Sequence, residues 1–198
     1  MRLFLILLLV FIVLVGGMTC SANNSLVAKE EKVAAAWSEI DNQYKRRMDL
    51  IPQLVKTVEG VADYEQSTLE AVVDARASVG RVQLPEGAPT DPKKLEAYMA
   101  AQRGLGGALG RLFAVAENYP TLRATESFLS LQDQIEGTEN RIAVARGDYI
   151  RAVQAFNTSL RQFPSNIMAG FLGLQRAETL PPEDGARETP DIKFGSDG

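Results

Sequence analysis

The chain has 198 residues, 45% hydrophobic and 23% charged, enough apolar content for one packed domain with additions. It has no histidine and one cysteine, Cys20, which excludes Ser-His-Asp and Cys-His nucleophiles, histidine-liganded metals, an internal disulfide and a thiolate cluster. The net charge of −4 is too small to imply nucleic-acid binding, and it resides in the tail, where Glu178, Glu183, Asp184, Glu188, Asp191 and Asp197 oppose only Arg187 and Lys193.

Residues 3–15 read LFLILLLVFIVLV, and with the small residues that follow they reach the ~20 residues a helix needs to cross a bilayer. A transmembrane segment is expected from Leu3 to Ala22, with the lipid bilayer as its partner. A retained signal anchor is the favoured form. Cleavage near Cys20-Ser21-Ala22 is an alternative, and so is lipid on Cys20, although Thr19 and Gly17 stand where a lipoprotein signal prefers a small residue and a leucine. Arg2 and the α-amino group favour an inside N-terminus, nearly offset by Lys29 and Lys32, so the folded part is expected outside the cytoplasm.

Asn23-Asn24-Ser25 breaks the apolar pattern and can cap a following helix. Leu26, Val33, Trp37, Ile40, Tyr44, Met48 and Ile51 then recur at three- and four-residue spacing, continued by Leu54, Val58, Val61, Leu69 and Val72. Such spacing predicts a core-facing helical seam, with Trp37 as a core anchor. Pro52 either opens a new helix capped by Asp49 or kinks one long helix. Lys45-Arg46-Arg47 is expected on a solvated face or paired with Asp41 and Asp49, because it lies too far from the membrane to feel lipid charge.

Residues 80–92, GRVQLPEGAPTDP, predict a loop ending in a Thr90 or Asp91 cap. A helix over 93–118 carries Leu95, Met99, Gln102, Leu105, Leu109, Leu112 and Ala116. Its Gly104, Gly106, Gly107 and Gly110 fit neither dinucleotide nor P-loop spacing and predict close helix approach or local weakness. A last long helix to about Phe163 has the seam Phe128, Gln132, Ile135, Glu139, Ile142, Arg146, Tyr149, Val153, Phe156, Leu160 and Phe163. Its alternating four and three steps are a heptad repeat, the pattern of antiparallel helix packing. Residues 165–176 predict a short packing helix, with a membrane-surface segment as the lesser reading, and the Pro-, Gly- and acid-rich remainder predicts disorder.

Six polar residues interrupt these apolar stripes: Glu65, Arg76, Gln102, Gln132, Glu139 and Arg146. An unpaired ion in a bundle seam costs several kcal/mol, roughly the scale of a domain's whole stability. They are therefore expected to pair across helices and set register; a polar ligand or metal groove and paired acid-base carboxylates are the alternatives.

The run Ala36-Trp37-Ser38-Glu39-Ile40-Asp41-Asn42-Gln43-Tyr44-Lys45-Arg46-Arg47-Met48-Asp49-Leu50-Ile51-Pro52-Gln53-Leu54-Val55 resembles the N-terminal signature of LemA family proteins. Three later blocks agree: Glu117-Asn118-Tyr119-Pro120, then Thr138-Glu139-Asn140-Arg141-Ile142-Ala143-Val144-Ala145-Arg146 with Tyr149, then Phe156-Asn157 leading to Phe163-Pro164. The resemblance implies an all-α, up-and-down antiparallel four-helix bundle behind an N-terminal transmembrane helix, in a single-pass protein of a bacterial cell membrane. It implies no defined chemistry; family members are linked to membrane proteases and, in one branch, to magnetosome membranes. The expected organisation is an anchor over 1–22, a bundle over 25–176 and a disordered acidic tail over 177–198. The expected role is an interaction scaffold without catalysis, metal or cofactor, whose partner is an envelope or membrane protein or a second copy of itself. Adaptor to a membrane protease and membrane-shaping scaffold are the alternatives.

Overall fold

The computed structural model describes residues 1–60, 65–82 and 87–181. Among them the regular elements are helices: α1 (Arg2–Glu59), α2 (Gln66–Arg81), α3 (Pro92–Ala116), α4 (Pro120–Arg123), α5 (Glu126–Ser159) and α6 (Ser165–Leu172).

One uninterrupted helix, α1, runs through 58 residues, or about 87 Å at 1.5 Å per residue. Residues 3–14 are exposed on every side, and the helix is long and apolar enough there to cross a membrane. From Ala22 onward one face is buried. Asn23, Asn24 and Ser25 do not start a new helix, contrary to the sequence-based expectation. Their propensity penalties are roughly a few tenths of a kcal/mol each, and the burial of Ala22 and Leu26 on either side outweighs them.

Pro52 also lies inside α1, so no second helix begins at Asp49. Proline has no N–H, which leaves the Met48 carbonyl four residues earlier without its helical donor. Arg76 of α2 fills that gap, its Nε donating to the Met48 carbonyl at 3.3 Å.

Cross-helix contacts fix the directions. Lys29 donates to Ser159 and Arg47 to Glu139, so α5 runs antiparallel to α1. Asp41, Tyr44 and Arg47 meet Tyr98, Met99 and Gln102 in rising order, so α3 runs parallel to α1. The core draws on α1, α2, α3 and α5, from Val33 and Trp37 at one end to Val58, Leu112 and Phe128 at the other. Asp91 caps α3 as expected, accepting from the backbone N–H groups of Lys93 and Lys94, with Pro92 in the first turn. The last long helix is shorter than expected: α5 ends at Ser159, and Phe163 lies exposed beyond it.

The expected tail over 177–198 is corrected at its start. Residues 177–181 pack as an extended strap against α5, with Leu180 buried in the main core. The Asn157 amide pairs with both backbone groups of Ala177, at 2.9 Å each. Tyr149 donates its hydroxyl to the Glu178 carbonyl at 2.8 Å, and Arg146 donates to the Pro181 carbonyl at 3.3 Å. Composition misleads here because one leucine and borrowed backbone partners suffice to dock five residues. Residues 182–198 lie outside the described residues.

The glycines of α3 also depart from expectation. Gly104, Gly107 and Gly110 are exposed, and a Cβ added at any of them would meet nothing within 4 Å. They do not mediate close helix approach. Gly106 faces Arg47 Nη1, which a Cβ would meet at an ordinary 3.6 Å. Replacing Gly104, Gly107 and Gly110 together by alanine is expected to stabilise the protein by about 3 kcal/mol, from roughly 1 kcal/mol each. A thermal melt in detergent should rise by several degrees, and an unchanged or lower midpoint would overturn the expectation.

Candidate functional site: a buried polar seam

The heptad spacing of α1 places Trp37, Ile40, Tyr44, Arg47, Ile51, Leu54 and Val58 on one line facing the interior. Arg47 therefore occupies a seam position, and it is 3% exposed. Its run was expected on a solvated face or paired with Asp41 and Asp49; its neighbour Lys45 does pair with Asp41, at 2.6 Å. The strict three-four alternation through position 47, rather than 48, was the signal that locates it.

Arg47 joins three helices. One terminal nitrogen donates to the Glu139 carboxylate of α5. The other donates to the backbone carbonyl of Gln102 on α3 at 3.0 Å and also to the Gln102 side-chain oxygen. Its guanidinium carbon lies 5.3 Å from the Tyr44 ring centroid, within cation–π range. Arg47 Nε and the Gln102 amide nitrogen are buried without a hydrogen-bond partner among the described residues. Two orphaned donors cost about 1–3 kcal/mol each.

The six interrupting residues do not form one network. Gln102 and Arg146 are buried and Glu139 is partly buried in the seam. Arg146 meets the Tyr44 hydroxyl at 3.5 Å as well as the strap, while Glu139 belongs to Arg47. Arg76 stands apart beneath Pro52, satisfying the Met48 carbonyl. Gln132 is half-buried and bonded within its own helix to Glu136. Glu65 is exposed, in the position that precedes α2, and accepts from Ser67. A stripe drawn continuously from α1 into α2 misassigns it, because helical phase is lost where α1 ends.

Beside the arginines lies an aromatic cluster. Trp37 meets Tyr149 edge-on at 5.6 Å and Tyr98 at 6.3 Å, and Tyr44 meets Tyr98 edge-on at 5.8 Å. Burial raises all three phenols above their ordinary value. It opposes Arg146 and Arg47 at Tyr44, acts with the Asp41 carboxylate at Tyr98, and with Glu178 nearby pushes Tyr149 up to about 12.

Those shifts predict alkaline unfolding. Below pH ~10 these tyrosines are protonated in both states, so their contribution to stability is fully present. Above it the unfolded chain releases protons first, and stability falls by about 1.4 kcal/mol per pH unit for each tyrosine until its folded-state value is reached. Denaturant titrations at stepped pH should show this decline, shallower in Tyr149→Phe. A stability that stays level from pH ~9 to ~11 would contradict it.

The polar groups of the seam are directed at one another and at backbone carbonyls. What they can do chemically is hold helices at a fixed offset. Sequence reasoning missed Arg47 and Asn157 as side chains that join distant segments.

The LemA family model matches residues 36–194, a span that includes the seam and the strap. Magnetosome protein MamQ 2 of Paramagnetospirillum magneticum is 30% identical over 187 residues, covering 85% of this chain and 68% of the relative. Magnetosome protein MamQ of Magnetospirillum gryphiswaldense is 27% identical over the same length. Protein LemA of Metamycoplasma hominis is 26% identical over 151 residues, covering 76% of this chain and 65% of the relative. These matches establish that the chain belongs to the LemA family.

Proposed function

We propose that this protein is a membrane-anchored interaction scaffold, an up-and-down four-helix bundle held on a bacterial membrane by the first third of α1, and not an enzyme. The carrying observation is the continuity of α1. The apolar run passes into the buried seam inside one helix, without a linker. A partner bound to the bundle is then held at a fixed distance along the helix axis, since a continuous helix, unlike a flexible linker, keeps a set rise per residue. The polar seam supports the same reading. Arg47 and Glu139 set helix register, so the outer faces keep one geometry.

The partner is an envelope or membrane protein, or a second copy of the chain, meeting the outward faces of α2 and α5, where Val73 and Val144 are exposed. A photo-crosslinking residue placed at Val73 or Val144 in the full chain, followed by mass spectrometry of products from intact cells, tests this. A specific membrane-protein or self-crosslink that disappears in a bundle-unfolding variant is expected; absence of any specific product at both positions would sink the scaffold reading. The match to proteins named for the magnetosome favours assembly on a membrane as the second reading. In that case the self-crosslink should dominate. A reporter fused after Gly198 places the bundle relative to the membrane, with the extracytoplasmic side expected.

A further inference from the structure

The short helix α6 presents an unusual outer face. Ile167 and Phe171, four residues apart, are 61% and 85% exposed, and Phe163 continues the same spacing just before the helix at 73%. Ala169, about 200° from each on the helix circumference, is buried. The helix thus turns its small residue inward and its large apolar residues outward, the reverse of a helix packed in a water-soluble protein. No charged residue occurs from Gln162 to Gln175, and the exposed Arg161 and Arg176 flank that stretch.

Position gives this face a partner. α6 packs on α1, and Pro164 and Ser165 line one cleft with Val13, Leu14, Gly17, Ser21, Ala22 and Ser25. The start of α6 is therefore level with the end of the apolar run. Ala22, Leu26 and Ala169 are buried there, separate from the main core. If the run from Leu3 spans a bilayer with its ~20 residues, that level is the boundary between acyl chains and headgroups.

We infer that α6 is a second membrane contact: Phe163, Ile167 and Phe171 enter the headgroup–acyl boundary of the bilayer that α1 crosses, with Arg161 and Arg176 at phosphate level. The inference rests on the anchoring reading of α1. Short uncharged aromatic segments with flanking arginines suit that boundary, where ring faces meet hydrocarbon and guanidinium groups meet lipid phosphate. Two contacts, one spanning and one lying flat, fix the tilt of the bundle as well as its distance from the membrane. A single spanning helix leaves that tilt free.

The test uses the full chain with Cys20→Ser, labelled with an environment-sensitive fluorophore at one introduced cysteine. The positions are Leu8→Cys, Ile167→Cys, Phe171→Cys and, as an aqueous control, Val144→Cys. Each protein is reconstituted in vesicles of phosphatidylcholine and phosphatidylglycerol, with or without lipid carrying a nitroxide high on its acyl chain. Blue-shifted emission and loss of intensity to the nitroxide are expected at 8, 167 and 171, and neither at 144. Quenching at 8 but not at 167 or 171 overturns the α6 contact and leaves the anchor standing. A blue shift at 167 and 171 without quenching means that a protein surface covers α6, and it also overturns the proposal. Quenching at 167 and 171 but not at 8 keeps the α6 contact and overturns the span, while no quenching anywhere overturns both.

Discussion

Ending the chain after Arg176 is expected to cost about 5–8 kcal/mol of folding stability, a large part of what a domain of this size has. Removing the buried Leu180 side chain is worth about 2–5 kcal/mol by comparison with leucine-to-alanine changes in cores. Tyr149, Asn157 and Arg146 also lose the strap carbonyls they bond. Because the strap leaves a groove open to water, these groups are rehydrated rather than orphaned, and each loss is worth about 1 kcal/mol. Thermal and denaturant unfolding in detergent, followed by circular dichroism, measures the change. Ending the chain after Pro182 is the control, since it keeps Leu180 and all three contacts, and it should behave as the full chain does. Leu180→Ala should give about half of the truncation effect. Equal stability of the two truncations would mean that the strap is docked without being coupled to folding.

Arg47→Ala is expected to destabilise by about 3 kcal/mol. The cost lies at the low end for a buried pair because Glu139 is 42% exposed and recovers water when its partner is gone, whereas the Gln102 carbonyl and side chain do not. Glu139→Gln should cost less, about 1 kcal/mol, since the amide oxygen still accepts from Arg47. The more telling variant is the triple change Arg47→Met, Gln102→Leu and Glu139→Leu. It removes both orphaned donors and all the charge at similar volume, and similar replacements of buried ion networks have been neutral or stabilising. Its stability is expected to match or exceed that of the parent, while crosslinks between α1 and α5 should spread over more than one offset. A triple variant that is both less stable and uniquely registered would assign the network to stability, against the register reading.

The site was only partly legible in the sequence. A polar residue on an apolar stripe is visible in a sequence, and Gln102, Glu139 and Arg146 were found that way. Its partner is not visible, because the partner lies on another helix 55 to 102 residues away, and no local rule pairs them. Glu139 meets Arg47 rather than Arg146, its neighbour on the same face of α5. Arg76 shows the same limit, since it answers a carbonyl that Pro52 of α1 leaves open.

What the sequence determined by itself was periodic or compositional. The apolar run, the seams of α1, α3 and α5, the Asp91 cap and the family signature are each written in consecutive residues, because helical hydrogen bonds and side-chain period are local. Tertiary structure alone decided where α1 stops, which charge meets which, that exposed glycines pack against nothing, and that Leu180 in an acidic, proline-rich tail belongs to the core. Each of those outcomes depends on burial against a distant segment. Leu180 is a loop residue in its own neighbourhood and a core residue only because α5 lies beside it.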